Sequence, residues 1–141
     1  MDDDFDEFDL FVEAQDTVWP QVIAELDAGK KATHWMWFVF PQLASLGQSD
    51  MSQLYGIHDL EEAAAYLRHP VLGPRLIDTA RQVHAHSGAS VETMMGRVDA
   101  LKLRSSMTLF SRVPGADPIF SDVLVAFWDA PGPSTLEATG G

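Results

Sequence analysis

The chain has 141 residues, with nine Lys and Arg against 21 Asp and Glu, a net charge of −12, and no Cys. The missing thiols exclude disulfide scaffolds, Cys nucleophiles and zinc–thiolate sites. A content of 46% hydrophobic and 10% aromatic residues excludes global disorder.

Charge is concentrated at the start. Residues 1–29 carry ten acids and no base, and the remainder carries 11 acids and nine bases. Without a basic stripe, duplex nucleic acid is not an expected partner. Met1-Asp2-Asp3-Asp4 lacks a signal peptide's basic charge. The runs Trp35–Phe40 and Val123–Trp128 are far shorter than the roughly 20 residues of a membrane helix. A cytoplasmic protein with no membrane partner is therefore expected.

Phe5, Phe8, Phe11, Val12 and Gln15 repeat at helical spacing, which predicts a helix over 5–15. Asp16 or Thr17 can cap a second helix, with Pro20 in its first turn and Gly29 at its end. His34-Trp35-Met36-Trp37-Phe38-Val39-Phe40-Pro41-Gln42 is apolar on every side. It reads as a short buried helix starting at Thr33 and stopped by Pro41, although a buried strand has the same pattern.

Residues 43–48 read as a loop, and Ser49 or Asp50 as the cap of a short helix. Asp59 with Glu62 forms a capping-box pattern before Leu60–His69. Pro70 starts a helix to about His86. Ser90 caps a turn through Met94, Asp99 opens Ala100–Val113, and Asp117-Pro118 begins a helix to Trp128. Pro131-Gly132-Pro133 breaks the chain, and Ser134 begins a last turn. The expected fold is all-α: one domain over 1–141, a bundle of about seven short helices around an aromatic core, with frayed tails at 1–4 and 138–141.

Two segments carry candidate chemistry. In the first, Trp35 and Trp37 offer rings that could stack on a base, bracketed by His34 and Gln42. His34 is the candidate proton carrier. Packing alone also accounts for these rings. In the second, Asp99 to Phe110, Lys102 and Ser106 stand at i and i+4, a geometry suited to an anion. Arg104 and Ser105 flank them. A plain helix surface with small residues for close packing fits equally. His69, His84 and His86 read as surface or capping residues, so no metal and no cofactor are expected.

These segments resemble a bacterial family of domains of unknown function, the eighteen-ten family, sometimes labelled "calpastatin". The resemblance rests on Phe11 to Gln15, Glu25-Leu26 with Gly29-Lys30, and His34 to Gln42. It continues through Leu46-Gly47, Ser49, Tyr55-Gly56-Ile57, Ala65-Tyr66-Leu67, His69 to Leu76, Gly96, Asp99 and Lys102 to Phe110. It spans roughly residues 5–128 and implies a mostly helical cytoplasmic domain, with no established reaction. Gly132 stands where the family has Asp. The label does not transfer, because calpastatin is a disordered repeat protein and this chain is neither.

Three functions fit the residues. The first is binding or processing of a small phosphorylated molecule, ADP-ribose-like or nucleotide-like. There Trp35 or Trp37 would stack a ring, Lys102 and Arg104 would hold phosphate, and His34 or Glu62 would move protons. The second is a non-catalytic interaction module or homodimer using the aromatic segment. The third is an adaptor that presents its acidic start to a basic partner.

Overall fold

The computed structural model describes residues 8–46, 49–128 and 135. The expected tails and the Pro131-Gly132-Pro133 break lie outside these residues. The fold is all-α. Its helices are α1 Asp9–Ala28, α2 Met36–Val39, α3 Asp50–Leu54, α4 Leu60–Arg68, α5 Leu72–His84, α6 Val91–Met95, α7 Arg97–Ser111 and α8 Ile119–Phe127. A 3₁₀ turn, Ala44–Leu46, lies in the expected loop, and Leu43 forms an isolated parallel bridge with Ile57. Among the described residues no helix is long and apolar enough to cross a membrane.

Several boundaries follow from local capping. Gly29 ends α1 in the left-handed region at φ 70°, where its amide donates to Leu26 O and the Lys30 amide to Glu25 O. Asp59 accepts from the Glu62 amide at 2.9 Å, Ser90 from Thr93, and Asp117 from Ile119 at 2.9 Å. The capping box at Asp59 is only half made, because the Glu62 carboxylate turns to His58 Nδ1 at 3.0 Å. His69 is buried, and its Nδ1 accepts the Val71 and Leu72 amides, so it caps α5 as a neutral imidazole. Burial lowers its pKa, against a smaller opposing effect of Asp9.

Three expectations need correction. The two predicted N-terminal helices are one, and Pro20 lies inside it. Pro20 lacks the N–H that would reach the Asp16 carbonyl, a local defect. The core outweighs that defect: Phe8, Phe11, Gln15, Val22 and Leu26 are all buried along one side. Thr17 does not cap; its Oγ1 donates back to Glu13 O at 3.0 Å. The aromatic segment becomes helical only at Met36, after an extended-to-bend stretch that Glu25 holds in place. Asp99 lies in the first turn of α7 rather than at its cap, because the chain turns at Gly96 with φ 87°.

The helices bury one aromatic-rich cluster. Tyr66 packs edge-on against Phe8 and Phe11 and tilted on Phe110, which in turn meets Phe120. Helix α8 packs on both α5 and α7, α1 packs on α5 and α2, and α2 also touches α7. Gly73 permits the sharp passage from α4 to α5, since a Cβ there would collide with the Leu67 carbonyl.

Candidate functional site

The site is built outward from a buried carboxylate. Glu25 falls in the last turn of α1, between the core residues Val22 and Leu26. Its Oε1 accepts from the Ala32 amide at 2.6 Å, the Thr33 amide at 3.0 Å and Trp35 Nε1 at 3.0 Å. Its Oε2 accepts from Thr33 Oγ1 at 2.6 Å and Gln21 Nε2 at 2.7 Å. Burial pushes the carboxyl pKa up, but these hydrogen bonds outweigh it and hold the value down at about 2. Five neutral donors thus stabilise the anion, and the segment 30–35 is shaped around it. His86 reinforces the corner by donating Nε2–H to Leu26 O at 2.8 Å and lying against Gly29.

With Glu25 satisfied by dipoles, the nearby cations turn to Asp99. The nearly buried Lys31 ammonium lies 2.8 Å from Asp99 Oδ2, donates to Thr33 O, and sits 4.9 Å from the Trp35 ring centroid. Lys102 lies 3.6 Å from Asp99 Oδ1 and 3.9 Å from the centroid of the Trp37 ring. Two ammonium groups share the Asp99 carboxylate, with the Glu25 anion behind them, so the four charges of this corner sum to zero in a chain of net charge −12.

The sequence-predicted residues divide sharply. Trp37 is half-buried and stacks with Lys102, so these two do converge. Trp35 is buried with its N–H on Glu25, which leaves no face free for stacking. His34 is exposed in the segment that Glu25 shapes. Ser105 is half-buried one turn on from Lys102, whereas Ser106 is fully buried and its Oγ has no hydrogen-bond partner among the described residues. Arg104 is two residues from Lys102, about 200° around the helix, and faces elsewhere. Gln42 is half-buried and its carbonyl accepts the Ile57 amide at 2.9 Å. Glu62 lines a separate cavity of about 500 Å³ beside Asp59, Glu61 and Arg68.

Glu25, Lys31 and Asp99 were not singled out as site residues by sequence. The signal was present in one of them: an acid inside an apolar stripe, at a position only a satisfied carboxylate can hold. Gln15 carries the same signal. It is buried, donates to Phe38 O at 2.6 Å and Tyr66 Oη at 3.3 Å, and accepts from Arg75 at 3.3 Å. Arg75 also pairs with Asp16 at 2.8 Å and covers the Trp19 ring.

The profile of a protein family of unknown function, DUF1810, matches residues 5–138. The chain belongs to the DUF1810 family. Among solved structures, the conserved hypothetical protein Rv1873 from Mycobacterium tuberculosis is 44% identical, with a TM-score of 0.93 over 96% of this chain and 97% of that one. No curated protein matches. The DUF1810 membership agrees with the resemblance read from the aromatic and Lys102–Phe110 segments, and it brings no reaction with it.

Proposed function

We propose that the protein binds a small phosphorylated, nucleotide-like ligand at the corner formed by Trp37, Lys102 and Lys31. The observation that carries this reading is the Lys102 ammonium 3.9 Å over the Trp37 ring, with Lys31 joined to it through Asp99. An aromatic face beside cations is the chemistry a base–phosphate ligand needs. Lys102 occupies the ring face and is only loosely paired to Asp99. A base could take its place on Trp37 while the ammonium swings to the phosphate. Ser105 stands on the same helix face, and His34 is the residue available for proton transfer to a bound ligand.

The test is a thermal-shift panel of AMP, NAD, ADP-ribose and sugar phosphates against the full chain. A ligand at a hundredfold excess over its Kd stabilises by about 2.7 kcal/mol. The reading requires at least one phosphorylated compound to raise Tm in the parent and to lose that effect in Lys102→Ala. A flat panel, or an undiminished shift in Lys102→Ala, overturns it.

A non-catalytic interface is the second reading, favoured by one observation. Val98 and Leu101 are exposed at 66% and 54%, one turn apart on α7 and next to Lys102. The aromatic segment itself offers little to such an interface, since Trp35, Phe38 and Phe40 are buried. Leu101→Glu would abolish self-association in sedimentation if α7 is the contact, and would leave a monomer unchanged if it is not.

A further inference from the structure

We propose that a second cleft, remote in composition from the Trp37 corner, binds a small monocarboxylate with an apolar tail, its carboxylate held by Arg68. The cleft measures about 330 Å³ and lies between the end of α4, α5 and the turn joining α7 to α8. Phe120, fully buried, and Val113 line it. Leu67 and Ile77 are half-buried there and present apolar walls. Its volume falls at the small end of the range for ligand sites.

Two charged residues border the cleft, and they differ in what they have left to offer. Asp117 is committed: Oδ1 accepts the Ile119 amide at 2.9 Å, and Oδ2 accepts from Arg81 at 3.3 Å. Arg68 is exposed, and no carboxylate of the described residues lies within ion-pair distance of it. Its place in the last turn of α4 suits the helix dipole, which accounts for a cation but not for apolar walls standing open beside it.

The charge of the ligand follows from the neighbourhood. A guanidinium takes a carboxylate through two parallel hydrogen bonds. Arg68 also borders the larger cavity, whose lining includes Asp59, Glu61 and Glu62. The three acids beyond Arg68 oppose an anion in proportion to its charge, so they set a phosphate dianion at a greater disadvantage than a monocarboxylate. The apolar walls supply the remaining affinity through burial of a tail.

The test is an amide-resolved NMR titration of the full chain with octanoate, acetate and octyl phosphate, in the parent and in Arg68→Gln. Arg68 is a surface residue, so the variant should retain the parent Tm. Octanoate is expected to saturate, with shifts centred on Leu67, Ile77 and Ala116, and its Kd should rise at least tenfold in Arg68→Gln. Acetate, lacking the tail, should not saturate. The proposal is overturned if octanoate fails to saturate, if its shifts centre on Val98 and Leu101, if Arg68→Gln binds as the parent does, or if octyl phosphate binds more tightly than octanoate.

Discussion

Helix α1 buries two polar side chains in one apolar stripe, ten residues apart, and they do different work. Gln15 is neutral and joins helices: its amide reaches Phe38, Tyr66 and Arg75, which belong to α2, α4 and α5. Glu25 is charged and gathers donors mainly from the segment just after its own helix. The difference teaches how a buried charge can be kept without a counter-ion. Dipoles satisfy Glu25, and this leaves Lys31 and Lys102 to share Asp99. The packing of the bundle runs through Gln15, and the shape of the candidate site runs through Glu25.

The largest expected effect separates the two tryptophans attached to that shape. Trp35→Ala should destabilise by about 3–5 kcal/mol, since it empties a fully buried ring volume and removes a donor from Glu25. Trp37→Ala, at a half-buried ring, should cost about half as much or less. Chemical denaturation measures both, and equal losses would break the distinction between core ring and site ring.

Next comes the pair on α1 itself. Glu25→Leu leaves buried donors unsatisfied and should cost about 3 kcal/mol, whereas Gln15→Leu should cost about 1–2 kcal/mol because its partners are fewer and a leucine fills the space. In addition, Glu25→Leu should alter amide shifts in 30–35, and Gln15→Leu should leave those shifts in place. An unchanged 30–35 segment in Glu25→Leu would contradict the assigned role.

The charge on Glu25 gives a third separation, by pH. Its carboxyl is held at about 2 in the fold against 4.5 ordinarily, so the unfolded chain takes up the proton first as pH falls. The stabilisation is complete above about pH 5 and is lost progressively as pH falls from 4.5 towards 2. It amounts to about 3 kcal/mol. Glu25→Gln should remove this part of the acid dependence, and Gln15→Leu should retain it. The smallest effect is on the fold from Lys102→Ala, expected within about 1 kcal/mol for a partly exposed pair and a cation–ring contact.

Much of this fold could be read from local chemistry. Gly29, Asp59, Ser90 and Asp117 bound their helices because each boundary is decided by one side chain or one backbone angle. What stayed hidden depended on distant contacts. Pro20 sits mid-helix because the core face continues past it, and Asp99 is drawn into the Lys31 and Lys102 pairing rather than a cap. The candidate site is half legible. Trp37 and Lys102 came from aromatic crowding and helical spacing, but helical rotation turns Arg104 away and burial withdraws Trp35 and Ser106. Glu25 and Lys31 join the site only through a chain reversal that no spacing rule anticipates.

The central claim, that Trp37 and Lys102 form a ligand-binding corner, is tested most directly by titrating ADP-ribose against tryptophan emission in the parent, Trp37→Phe and Lys102→Ala. Saturable quenching is predicted in the parent, because a stacked base lies against Trp37. The quench should vanish in Trp37→Phe, and the midpoint should rise at least tenfold in Lys102→Ala, corresponding to the roughly 1.5–3 kcal/mol of a charged hydrogen bond. No quenching in the parent, or the same quenching and midpoint in all three proteins, would contradict the account.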